Sequence, residues 1–111
     1  MRDWLDLRPP RTSRGKSTAL AFADDGITVN AIAPGPADTQ LFREAIEQLA
    51  QTDYTGGHSP DEHVVESATH IPLKRLATVE DIAQLFLFLA SDQSGYINGV
   101  TVAIDGGYLL T

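Results

Sequence analysis

Pro34, Gly35, Ala37 and Thr39 follow an apolar run, Ile27-Thr28-Val29-Asn30-Ala31-Ile32-Ala33, and precede a helical pattern. A Pro-Gly loop between a strand and a helix leaves backbone groups unpaired at the carboxyl end of the strand. Open α/β sheets bind their ligands there. Thr39 is of the type that caps a helix N-terminus, and the positive end of the helix beyond it favours an anion. The same residues equally fit a strand-ending turn with a capping threonine, since turn chemistry alone accounts for them. His63, Glu66 and His70 share a helix face at metal-ligand spacing. They lack a fourth ligand and an outer partner, so they read as exposed histidines on a polar helix, and no metal ligand is assigned. Gly15-Lys16-Ser17 matches the end of a phosphate-binding loop, but that motif needs a glycine where Pro10 stands, and a preceding strand. Asp105, beside Gly106 and Gly107, reads as a turn cap rather than an acid or base.

The elements that must position these residues follow from periodicity and punctuation. Residues 17–23 read as the end of a helix, stopped by Asp24-Asp25-Gly26 with the glycine in the left-handed cap. Residues 27–33 form a strand with apolar residues on both faces, as in a parallel sheet covered on both sides. From Thr39 to Gln51 the spacing of Leu41, Ala45 and Leu49, with Phe42 and Ile46 beside them, makes an amphipathic helix. Residues 52–59 are turn-rich. Ser59-Pro60-Asp61-Glu62 then opens a short helix with a capping box and proline at its first position, and Ile71-Pro72 ends it. Thr78-Val79-Glu80-Asp81 opens another helix, Val79–Ala90, which is apolar nearly all round and needs cover on two sides. Val100 to Ile104 is a second strand.

The expected fold class is therefore α/β: a partial Rossmann-type (doubly wound) unit with two parallel strands and three to four helices. Two parallel strands leave edges and apolar faces open, so the unit is expected to be completed by oligomerisation. The partner surface would be the Val79–Ala90 helix with the strand Val100 to Ile104.

Composition bounds the rest. A length of 111 residues allows one small domain, and 42% hydrophobic residues is enough for a globular chain. No apolar run approaches the roughly 20 residues of a membrane span. Neither a membrane nor, at a net charge of −7, a nucleic acid is an expected partner. The absence of cysteine and of an apolar leader segment leads us to expect a cytoplasmic protein. The charge is uneven: residues 1–16 carry Arg2, Arg8, Arg11, Arg14 and Lys16 against Asp3 and Asp6, and the remainder is strongly acidic. Residues 1–15 accordingly read as an atypical head, disordered or mis-framed, joined to a body spanning residues 16–111.

From Lys16 to Leu109 the chain resembles the short-chain dehydrogenase/reductase family, in its C-terminal half only. The resemblance rests on ordered landmarks: Asn30-Ala31-Ile32-Ala33-Pro34-Gly35, Ile71-Pro72-Leu73-Lys74-Arg75-Leu76, Glu80-Asp81-Ile82-Ala83, Phe88-Leu89-Ala90-Ser91-Asp92, Tyr96-Ile97-Asn98-Gly99 and Val102-Ala103-Ile104-Asp105-Gly106-Gly107. It implies an oxidoreductase using NAD or NADP. By that likeness Pro34 and Gly35 shape the turn over the nicotinamide, the Ala37 backbone faces its carboxamide, and the Thr39 hydroxyl lies near the amide or the pyrophosphate. Residues 40–72 correspond to a mobile substrate lid, in which Phe42 and Tyr54 stand as substrate contacts or as packing residues.

The likeness also implies what is missing. No glycine-rich phosphate loop and no catalytic serine strand are found. The positions of the catalytic tyrosine and lysine fall on Trp4 and Arg8, and indole has no transferable proton. No catalytic residue is assigned, and the chain is expected to be a truncated oxidoreductase, inactive alone and doubtful as a binder of the cofactor by itself. The alternative is an assembly module that dimerises or caps a full-length relative.

Overall fold

A computed structural model describes residues 13–52 and 57–111. Helix α1 (Ser13–Phe22) is followed by strand β1 (Ala31–Pro34), helices α2 (Gln40–Leu49), α3 (Pro60–Thr69) and α4 (Val79–Ala90), and strand β2 (Thr101–Ile104). Short 3-10 turns stand at Ala23–Asp25, Asp92–Ser94 and Tyr108–Leu110. The two strands pair with each other, and their order advances together: Ala31 N donates to Val100 O at 2.8 Å and Gly35 N to Ile104 O at 2.9 Å. This is the parallel arrangement, and with four helices it matches the expected partial unit. α1 begins at Ser13 and so runs through the change in composition at Lys16. Trp4, Arg8 and Tyr54 lie outside the described residues.

Packing divides the chain into two units. One takes the described residues up to Ile32 together with Leu87–Val102. Here α1 and its 3-10 extension stop at Gly26, whose φ of 73° and bond from its amide to Ala23 O make it the expected glycine cap. The strand starts later than the apolar run suggests, at Ala31 rather than Ile27. Before it, side-chain amides join one backbone bond, Gly99 N to Val29 O at 2.9 Å: Val29 N donates to Asn98 Oδ1, Asn30 Nδ2 donates to Ile97 O, and Asn30 Oδ1 accepts from Val100 N. The two-sided cover expected for this strand is also not provided, since Ala31 and Pro34 are exposed and Ile32 and Ala33 only half-buried. Ala19 is buried close to Gly99, where an added Cβ would lie 3.5 Å from the alanine methyl.

The second unit comprises Ala33–Phe86 and Ala103–Thr111. Its tightest point is Ile71, only 1% exposed. A Cβ on Gly106 would come within 2.8 Å of the Ile71 methyl, and one on Gly107 within 3.1 Å of Pro72. Both glycines have positive φ, so each is needed for conformation and for space. Leu73 N closes the contact by donating to Gly106 O at 3.2 Å.

The helix starts form as their sequences require. Ser59 Oγ accepts from Glu62 N while Glu62 Oε2 accepts from Ser59 N, a complete capping box with Pro60 at the first position. Thr78 and Asp81 repeat the exchange at α4. α4 itself has no buried residue, with Phe86 59% and Leu87 73% exposed. Among the described residues, no helix is long and apolar enough to cross a membrane.

Candidate functional site

The loop from Pro34 to Thr39 is built from close backbone contacts. A Cβ on Gly35 would lie 2.6 Å from Asp105 Cβ and 2.8 Å from Asp105 Cα, so only glycine fits there. Asp105 caps the turn beyond: Oδ1 accepts from Gly107 N at 2.9 Å and Oδ2 from Leu109 N at 3.1 Å. The loop then pairs briefly with residue 77 in a parallel bridge between Ala37 and Ala77. Ala77 N donates to Pro36 O at 3.0 Å, and Asp38 N donates to Ala77 O at 2.9 Å. Ala37's own amide and carbonyl are engaged in neither bond. One donor and one acceptor are thus presented side by side, the complement of a primary carboxamide. Thr39 caps α2, its Oγ1 accepting from Phe42 N at 3.1 Å. That bond uses a lone pair and leaves the hydroxyl proton to donate. The four sequence-predicted residues, Pro34, Gly35, Ala37 and Thr39, therefore stand on one continuous loop at the end of β1.

Sequence reasoning missed the residue that fixes this loop to the helices after it. Arg43 grips Asp38 through Nε (2.6 Å) and Nη2 (2.9 Å), while its Nη1 reaches Asp61 at 2.6 Å. One guanidinium so joins the loop, α2 and the first turn of α3. Hydrogen bonding to Arg43 holds the Asp38 carboxyl below the usual carboxylate range, and the two aspartates push the guanidinium still higher. A second pair, Arg75 with Asp81 at 2.6 Å, stands at the start of α4. Asp81 is held well below the ordinary range, first by Arg75 and then by the Thr78 amide. The only sequence signal for Arg43 was an acid before a helix start and a base one turn inside it.

The histidines regroup. His63 and Glu66 remain together on α3, but His70 closes the helix C-terminus and His58 takes its place in the cluster. Gly15-Lys16-Ser17 lies inside α1 and forms no loop. Phe42 is half-buried on α2.

Known proteins resemble this chain in sequence and fold. A family model described as enoyl-(acyl carrier protein) reductase matches residues 12–109. An uncharacterized oxidoreductase of Bacillus subtilis, YxjF, is 42% identical over 93 residues, covering 84% of this chain and 35% of the relative. A short chain dehydrogenase family protein from Francisella tularensis superposes with a TM-score of 0.81 at 32% identity, over 98% of this chain and 48% of the other. L-sorbose reductase from Gluconobacter frateurii, solved with NADPH and L-sorbose, gives a TM-score of 0.77 at 32% identity, over 90% of this chain and 37% of the other. The chain spans about a third of the length of the curated relatives it matches. It belongs to the short-chain dehydrogenase/reductase family, as a partial unit of that family's Rossmann-type fold.

Proposed function

We propose that the chain serves an NAD(P)-dependent oxidoreductase by forming the wall against the nicotinamide end of the cofactor. The loop from Pro34 to Thr39 carries this reading, because its unengaged donor, acceptor and hydroxyl proton suit a carboxamide and its neighbouring phosphate oxygens. When bound, the dinucleotide supplies the hydride exchanged with a substrate carbon. This chain's part is to orient: Ala37 N–H donates to the carboxamide oxygen, Ala37 C=O accepts from its nitrogen, and Thr39 Oγ1 donates to an oxygen. Gly35 lets the backbone approach without a side chain in the way. NADPH in the L-sorbose reductase structure supports the cofactor class for the relatives. A cytoplasmic setting goes with this reading.

The acid-base pair is not among this chain's contributions. By family resemblance its positions fall on Trp4 and Arg8, and none of Tyr54, Tyr96 and Tyr108 has a lysine four residues on. We expect the 111 residues alone to be catalytically silent. Incubation with a panel of ketones and either NADH or NADPH checks this, and measurable turnover would overturn it. For the loop itself, residues 16–111 grafted in place of the matching part of L-sorbose reductase should bind NADPH. Thr39→Val in that chimera should raise the KM for the cofactor. A folded chimera that ignores NADPH would count against the assignment.

A second reading is favoured by α4. Its Phe86, Leu87 and Phe88 are exposed, and exposed apolar residues gathered on one helix suit an interaction surface. As an assembly module, the chain would pair with a second copy, or cap a full-length relative, through Val79–Ala90 and residues 100–104. Light scattering at micromolar concentration decides it: a clean monomer refutes self-pairing.

A further inference from the structure

We infer that His58, His63 and Glu66 form a binding site for a zinc-like divalent cation at the start of α3. The cluster follows from the cap. With Ser59 as N-cap, His58 is the residue just before it and His63 is the fourth helical position, the two places whose side chains meet when a helix is stapled at its entry. Hydrophobic residues usually fill them. Here they are imidazoles, with ring centroids 6.1 Å apart and planes at 85°. Glu66, one turn beyond His63, lies on the same face.

The donor atoms converge. His58 Nδ1 is 3.1 Å and His63 Nδ1 3.7 Å from the same oxygen, Glu66 Oε2, and the three ligand atoms lie within 4.8 Å of one another. Four-coordinate zinc with bonds of about 2.0–2.1 Å separates its ligand atoms by about 3.3 Å. The two distances to Glu66 Oε2 bracket that value, and the remaining edge, between the two imidazoles, is no more than 4.8 Å, so partly exposed side chains would close it on binding. The donor chemistry agrees, two imidazoles and a carboxylate being a set that zinc accepts with water in the remaining position.

An independent observation points the same way. His63 Nδ1 is shielded from solvent and has no hydrogen-bond partner among the described residues. A buried nitrogen left unpaired is costly, and at 3.7 Å the carboxylate oxygen is too far to satisfy it. A cation between the two atoms would serve both. Glu62, in the first turn, offsets part of the positive helix end, while Asp61 is taken up by Arg43. His70, at the opposite end of α3, has no part in the cluster, which takes His58 from before the helix instead. Bound there, the cation would pin the residue before α3 onto that helix. The inference does not depend on the dinucleotide reading.

Calorimetric titration of the full chain with zinc chloride in a non-chelating buffer tests the inference. One zinc per chain is expected, with His58→Ala, His63→Ala and Glu66→Gln each weakening it by at least the roughly tenfold that even an outer partner's loss brings. His70→Ala should leave binding unchanged. Ser59→Ala removes no ligand but loosens the cap that brings His58 over the helix, so it should weaken zinc as well. Absence of saturable binding, binding that survives His63→Ala, dependence on His70, or indifference to Ser59→Ala would each overturn the site.

Discussion

The contact around Ile71 and helix α4 are both apolar, yet the chain finishes one and not the other. Around Ile71 the structure closes on itself: the side chain is 1% exposed, Gly106 and Gly107 make room for it, and Leu73 bonds across. α4 has its cap, yet none of its residues is buried and Leu87 is 73% exposed. Helical hydrogen bonds are local and can form wherever a cap and a suitable pattern exist, whereas burial needs a second surface. The difference teaches that a well-formed helix is no sign that its environment is complete.

Substitutions should separate these two regions. The largest effect is expected at Gly35→Val, where any Cβ meets Asp105 backbone at 2.8 Å. Overpacking there should cost about 3 kcal/mol in urea denaturation, and an unchanged midpoint would mean the loop yields. Ile71→Ala removes a fully enclosed side chain and should cost about 2–4 kcal/mol by the same measurement.

Next comes acid sensitivity. Asp38 and Asp81 are both held below their ordinary range. A depressed folded-state pKa stabilises above the unfolded value of about 4 and loses that contribution as the pH falls through the folded value. The denaturation midpoint should therefore drop below about pH 4, and Asp81→Asn should flatten that limb. An identical acid limb in the variant would show that the Arg75 pair contributes nothing.

Lys74 has a φ of 59°, a left-handed conformation that glycine adopts without penalty. Lys74→Gly should raise stability by about 0.5 kcal/mol, net of the entropy glycine loses on folding; a fall would mean that the bond from Lys74 Nζ to Thr69 O matters more. Leu87→Glu should change the stability of dilute chain by less than about 0.5 kcal/mol. It should nonetheless lower the scattering mass of any assembly. A large loss of stability in dilute chain would erase the contrast with Ile71.

The punctuation of this fold was legible from local chemistry. Ser59-Pro60-Asp61-Glu62 and Thr78 to Asp81 announced two helix starts, and Asp24-Asp25-Gly26 a stop, because caps depend on residues within one turn. The loop at Pro34, Gly35, Ala37 and Thr39 was legible as a place. The start of β1 was not, since the apolar run 27–33 gives no hint that Asn30 and Asn98 side chains take up backbone groups before Ala31. Nor was Arg43 legible as a clamp, or His58 as the companion of His63.

The sequence by itself determined the class, three to four helices with a parallel strand pair, and the positions where most helices begin and end. Those features follow from periodicity and capping, which act over a few residues. Tertiary structure alone decided that Gly35 must be glycine against Asp105, that Ala77 binds the backbone of Pro36 and Asp38 and not that of Ala37 between them, and that Arg43 holds two aspartates 23 positions apart in the chain. These depend on surfaces brought together from distant segments, and no local rule records which segments will meet.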